Sequence, residues 1–134
     1  MTSFPLKIVT PDGLIFDGAA EELIVRSTTG EVAVLAKHTD FVTPLGMGQA
    51  VVVADGQRRT AACIGGMLSV VNGAVTLVPT TFEWSDKIDL ERANAAYQKA
   101  NGVLKNPNAS ETDLKLAEAK LRRALVRRSV ATGK

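Results

Sequence analysis

The stretch Gln49–Val78, QAVVVADGQRRTAACIGGMLSVVNGAVTLV, decides how the first part of the chain folds. It holds four runs of β-type residues, Gln49–Ala54, Gln57–Ile64, Met67–Val71 and Ala74–Val78. Asp55-Gly56 joins the first two runs and Asn72-Gly73 the last two. These dipeptides favour the type I′ turn, which needs positive φ at both central residues and whose twist matches that of paired antiparallel strands. Two hairpins are therefore predicted. Gly65-Gly66 falls between them and suits a bulge or the close approach of another backbone. Cys63 is the chain's one cysteine, so it forms no internal disulfide. With no His or Asn pattern near it, it reads as a small apolar packing residue and not as a nucleophile.

The same grammar extends towards the N-terminus. Leu6–Thr10 meets Pro11-Asp12-Gly13, Asp17-Gly18 closes the next run, and Leu23–Arg26 leads through Ser27–Gly30 into Glu31–Ala36. Short runs separated by turn signals at this spacing indicate a β-sandwich or barrel. Lys37–Gly48 does not alternate and carries His38, Pro44, Gly46 and Gly48, so it is expected to be a long loop. Gly46-x-Gly48 lacks the third glycine of a phosphate loop and opens no helix, and it reads as strand geometry. The opening Met1–Lys7 has neither the basic start nor the apolar run of a secretory signal. The longest uninterrupted apolar run, Ala50–Ala54, is far short of the ~20 residues of a membrane helix, so membrane association is expected only through a partner.

After Trp84 the period changes to 3.6. Asp86 or Asp89 is placed to cap a helix to about Lys105, with Leu90, Ala93, Tyr97, Ala100 and Leu104 on one stripe. Asn106-Pro107-Asn108 stops it. Ser110-Glu111-Thr112-Asp113 resembles a capping box and starts a second helix through about Val130, whose stripe is Leu114, Ala117, Leu121, Ala124 and Leu125. The short connection makes the helices antiparallel neighbours. The fold expected is α+β: an N-terminal antiparallel β-sandwich over residues 1–84, then a C-terminal antiparallel two-helix hairpin over residues 85–134.

The 134 residues carry 16 basic and 14 acidic side chains, net +2, but unevenly. Residues 1–84 hold 5 Lys/Arg against 8 Asp/Glu, net −3, and residues 85–134 hold 11 against 6, net +5. No catalytic constellation stands out: there is one histidine, no GxxxxGK[ST] and no HExxH, and the adjacent Glu21 and Glu22 point to opposite faces of a strand. The chain is therefore not read as an enzyme, and no metal site is expected.

The informative cluster lies in the hairpin. Reflecting the helices about residue 107 sets Arg92 level with Arg123, and Ile88-Asp89 level with Arg127. Guanidinium groups gathered this way suit a polyphosphate, with Asp89 accepting hydrogen bonds from an amino-bearing base. The same residues also suit compensation of the helix dipoles, at ~0.3–1 kcal/mol each. Arg122, Arg123, Arg127 and Arg128 form a basic end on the second helix. Tyr97 is the one aromatic residue of this half, so nucleic acid is excluded and an acidic protein surface fits better.

Four segments, in this order and spacing, resemble the epsilon subunits of bacterial F-type ATP synthases over nearly the whole chain. They are Ile8–Gly13 (IVTPDG), Gly30-Glu31 to Leu35 leading to His38, Gly65–Val70 (GGMLSV), and Ile88–Ala93 (IDLERA). The resemblance implies a ten-stranded sandwich and a helical hairpin in the central stalk, bound to the gamma subunit and the c-ring, with Glu31 and His38 at the loop end facing the ring. It implies a peripheral location on the cytoplasmic face of the bacterial cell membrane, where ion flow is coupled to ATP synthesis. It also implies that the hairpin can extend along gamma and that its basic helix, Arg122, Arg123, Arg127 and Arg128, meets acidic segments of the alpha and beta subunits and inhibits ATP hydrolysis. In members that hold the hairpin down with ATP, a non-hydrolysed regulatory ligand, the matching positions here are Glu83, Ile88, Asp89, Arg92, Ala93, Arg123 and Arg127. Lys99 stands where such members often carry an arginine, keeping the charge without the bidentate fork. Two alternatives are a freestanding ATP-sensing module and an epsilon subunit whose hairpin binds no ATP.

Overall fold

A computed structural model describes residues 2–133. The chain divides into two compact units, Met1–Trp84 and Ser85–Lys134. The first contains eight strands: β1 (Phe4–Thr10), β2 (Gly13–Ala20), β3 (Glu22–Ser27), β4 (Gly30–Val34), β5 (Phe41–Pro44), β6 (Met47–Ala54), β7 (Gln57–Val71) and β8 (Ala74–Trp84). They hydrogen-bond in the order β2-β1-β8-β7-β6-β3-β4, with β5 added alongside β7.

Both predicted hairpin turns are present. Asp55 and Gly56 have φ of 53° and 72°, and Asn72 and Gly73 have 50° and 80°, as a type I′ turn requires. Between the turns, β7 is one strand of 15 residues and not the two runs expected. It bends at Gly65 and Gly66, whose φ values are 68° and 103°. Across this bend the core-facing positions change parity, from Ala61 and Cys63 to Leu68 and Val70. Two consecutive positive-φ residues interrupt the alternation, so the strand keeps its pairing with β8 while presenting the other set of side chains inward. A Cβ on Gly66 would lie 2.6 Å from Pro79 Cα, so only glycine fits there. Among the described residues the strands number eight and not ten.

Two further departures are non-local. Phe41–Pro44, expected as loop, forms β5 and pairs antiparallel with Met67–Val70. The sandwich is antiparallel except for one pair, since Leu6–Ile8 of β1 runs parallel to Val75–Leu77 of β8. The core is built by both halves of the bent sheet, with Leu6, Ile8, Leu23, Val25, Val52, Leu68 and Leu77 all less than 2% exposed. Gly46 and Gly48 serve strand geometry: a Cβ on Gly48 would lie 2.9 Å from Arg26 Cβ. Cys63 is buried, and burial pushes its thiol up to about 12.

The second unit opens with a single 3-10 turn, Ser85–Lys87, followed by α1 (Leu90–Leu104) and α2 (Glu111–Thr132). Asp89 is the N-cap of α1 and accepts from the backbone N–H of Arg92 at 3.0 Å. Ser110 caps α2 through the expected capping box, Ser110 Oγ accepting from Asp113 N–H and Asp113 Oδ2 accepting from Ser110 N–H. The fully buried positions of the helices are Ala93, Ala100, Ala117, Ala124 and Val130. Leu90 and Leu125, expected on the apolar stripes, are exposed. Leu90 occupies the first helical position, and Leu125 lies about 100° around the helix from the buried Ala124.

Candidate functional site

The hairpin carries a groove of about 510 Å³ whose walls come from both helices. Its small floor follows from the alanine stripes: Ala96 and Ala100 on α1 and Ala117 on α2 leave room between the axes. Four cations line it, Lys99 from α1 and Lys120, Arg123 and Arg127 from α2. The α2 side is a consequence of spacing, because positions 113, 120 and 127 repeat every seven residues and 123 lies beside them on the same face. Asp113 is the one acidic residue of the lining, and its carboxylate already accepts the Ser110 N–H. The groove is therefore strongly positive at neutral pH.

The structure brings Arg123 and Arg127 to this groove but not the rest of the expected set. Ile88 and Asp89 lie just before α1, Arg92 and Ala93 lie in its first turn, and all four are absent from the lining. Ala93 is buried, Ile88 half-buried, and Asp89 and Arg92 are exposed. Glu83 lies on β8, opposite Ala62 of β7, in the β unit. The arginines of the basic end face several ways. Arg122 is exposed, whereas the Arg128 guanidinium stacks 4.5 Å from the centre of the Tyr97 ring. Arg128 also borders a second, shallower groove with Leu90, Asn94 and Leu125.

The length of α2 bears on the two uses of these arginines. The helix continues to Thr132, past the expected end, and its last turn contains no basic residue. Dipole compensation falls off beyond the terminal turn, so Arg123 and Arg127 sit too far inside for that role. Lys120 and Lys99 were not singled out together by the sequence. The signal for Lys120 was its i+3 and i+7 spacing to Arg123 and Arg127.

In the β unit, Glu31 lies at the start of β4 opposite Arg26, and His38 lies beyond the other end of that strand. His38 Nδ1 is 2.8 Å from the carbonyl oxygen of Thr39, and its ring packs 4.9 Å from that of Phe41. The neighbouring Asp40 accepts from Asn72 N–H at 2.8 Å, tying this segment to the β7–β8 turn.

Beyond the expected residues, the outer face of β5, β7 and β8 carries exposed apolar side chains around Ser69 and Thr76. The register sets Pro44 opposite Met67, Met67 opposite Val78, and Val42 opposite Ser69. Val42, Met67, Val71 and Val78 are between 42% and 61% exposed, which makes a patch of a kind that marks interaction sites. It depends on Phe41–Pro44 being a strand and not the expected loop.

Residues 3–85 match the family model of the beta-sandwich domain of the ATP synthase delta/epsilon chain, and residues 86–132 match that of its long alpha-helix domain. The chain belongs to the ATP synthase delta/epsilon family. Among curated family members, the ATP synthase epsilon chain of Ruminococcus albus is 37% identical over 135 residues, covering 100% of both chains. That of Bacillus pumilus is 38% identical over 131 residues, covering 98% of each. Of solved structures, a chain of the Euglena gracilis mitochondrial ATP synthase, in a structure of OSCP, F1 and c-ring, superposes with a TM-score of 0.85 at 22% identity, covering 100% of this chain and 83% of that one. A chain of the central stalk and c-ring structure from Tetrahymena thermophila gives 0.67 at 9% identity, covering 95% of each. At these identities the superpositions speak for the fold of the family. Among the described residues, no helix is long and apolar enough to cross a membrane.

Proposed function

We propose that the chain is a non-catalytic central-stalk subunit of an F-type ATP synthase on the cytoplasmic face of the bacterial membrane. It docks gamma and the c-ring through its β unit and regulates ATP hydrolysis through its hairpin. The observation that carries this is the correspondence of two family domains, matched in order over residues 3–85 and 86–132, with the two units of the chain. The apolar face of Val42, Met67, Val71 and Val78 supports a protein partner and is assigned to gamma. The test is to mix the full chain with purified gamma. A stoichiometric complex at micromolar concentration is expected, weakened at least about tenfold by Val42→Asp, which introduces an unpaired charge into the docking face. Failure of the unmodified chain to bind gamma overturns the reading.

The hairpin is assigned a second role, sensing ATP without hydrolysing it. Support comes from four cations lining one groove and from the distance of Arg123 and Arg127 from the helix end. In this reading the adenine end lies towards Ile88, Asp89 and Ala93, and the phosphates lie over Arg123 and Arg127. ATP at 100 times its dissociation constant would favour the folded hairpin by ~2.7 kcal/mol if it bound that state alone. In the extended state the same arginines, with Arg122 and Arg128, would meet acidic surfaces of the alpha and beta subunits. Calorimetric titration of ATP into the full chain tests this: binding is expected, and Arg123→Ala should abolish it. No binding by the unmodified chain at millimolar ATP leaves the stalk role standing and removes the sensor.

A further inference from the structure

The helices meet along alanines, so the seam itself holds them weakly. Ala93 and Ala100 on α1 and Ala117 and Ala124 on α2 are buried, and each offers a neighbour a single methyl group. A larger contact lies beside the seam. The Arg128 guanidinium lies over the Tyr97 ring, 4.5 Å from its centre, and both residues are half-buried. Helix geometry explains the meeting, because side chains lean towards the N-terminus of their own helix. In an antiparallel pair Arg128, near the end of α2, leans towards the interhelical loop, and Tyr97, in the middle of α1, leans away from it. Leu90, Asn94 and Tyr97 follow one another at four and three residues, so the ring continues the wall of the shallower groove that Arg128 borders. The lining of that groove holds no acidic residue among the described ones, so no carboxylate there competes with the ring.

We propose that the Tyr97–Arg128 stack is a staple between the two helices, and that Tyr97 thereby sets how readily the hairpin opens. Its use in regulation rests on the hairpin movement proposed above; its existence does not. A guanidinium stacks flat on a ring while its edge stays hydrated, so the contact holds at a half-buried site where an ordinary ion pair would gain little. The stack spans α1 and α2, so it is lost as soon as the helices separate. Separation then releases Arg128 to an acidic surface, and opening and exposure of that charge become one event.

Amide exchange of the seam in the full chain, without nucleotide, tests the staple on Tyr97→Leu, Tyr97→Phe, Arg128→Gln and the double variant of Tyr97→Leu with Arg128→Gln. The amides of Ala100 and Ala117 should exchange about two- to fivefold faster in Tyr97→Leu and in Arg128→Gln, the size of a partly exposed cation–π contact. Both changes remove the same contact, so the double variant should exchange no faster than the quicker single one. Tyr97→Phe keeps the ring face and should match the unmodified chain. Unchanged exchange of the Leu77 amide in the β unit excludes a general loss of stability. Additive effects of the two single changes, or a Tyr97→Phe variant as fast as Tyr97→Leu, overturn the staple. Inhibition of ATP hydrolysis, measured after reassembly of the full chain with the alpha, beta and gamma subunits, separates the staple from its use, since Tyr97→Leu leaves every arginine in place. Stronger inhibition by Tyr97→Leu is expected. Faster exchange with unaltered inhibition leaves the staple standing and counts against regulation by hairpin movement.

Discussion

The β unit and the hairpin bury different kinds of side chain. The β unit is closed around leucine, isoleucine and valine, while the fully buried positions of the two helices are four alanines and Val130. A buried leucine contributes roughly 1.5–3 kcal/mol by leaving water, and an alanine far less because it removes less apolar area. The lesson is a division of labour. The sandwich has the burial to hold one conformation, whereas the hairpin is held by caps and small contacts. Low local stability is what the hairpin movement proposed above would require.

The widest contrast concerns chemical access. Cys63 stays protonated in the folded β unit, so its thiol should react with iodoacetamide at pH 8 about a thousandfold more slowly than a thiol of pKa 9.0. A cysteine placed on the exposed face of α1 by Ala95→Cys should label at the ordinary rate. Rapid labelling of Cys63 in the native chain would break the picture of a closed sandwich. The same shift fixes a pH dependence. The unfolded thiol ionises above pH 9.0 and the folded one only near 12, so its contribution to stability is complete below pH 9 and is lost as the pH rises towards 12. Urea melts at pH 8 and pH 11 check the sign.

Next in size is Leu77→Ala, which should lower the stability of the β unit by about 2–5 kcal/mol in urea melts followed by Trp84 fluorescence. Gly66→Ala should cost about 2–4 kcal/mol, because the new Cβ meets Pro79 and the Val78 carbonyl at a positive φ. A near-neutral result there would mean that the bend in β7 is not needed. The smallest effect is expected in the hairpin, where Ser110→Ala removes the α2 cap and costs about 1 kcal/mol, seen as fraying of α2 in amide exchange. A cost as large as that of Leu77→Ala would show that the two regions do not differ in the way described.

What could be read from the sequence was local chemistry. Asp55-Gly56 and Asn72-Gly73 specify their own turns, and Asp89 and Ser110 their own caps, because every atom involved lies within four residues. Phe41–Pro44 could not be read as a strand, since its partners are Met67–Val70 and nothing within the segment announces them. The parallel pairing of β1 with β8 joins residues almost seventy apart, and it too leaves no local mark. At the candidate site, Arg123 and Arg127 are four residues apart, and that spacing sets them on one face of α2. Lys120 shares that face, and its spacing of three and seven residues to Arg123 and Arg127 is the signal that marks it. Arg92 and Asp89 were placed with the arginines by reflection, but their level along the axis does not say which side of the helix they occupy.

The long pairing of β7 with β8 also has a mechanical side. It runs without a break in register from Val71 and Ala74 at the turn to Ala61 and Trp84 at the far end. A load between that turn and Trp84 runs along the backbone of β8, and the pairing with β7 resists its bending. Anything attached near Asn72 is thereby linked stiffly to the point where the chain leaves the β unit, and a strut of this kind transmits load with little stretch.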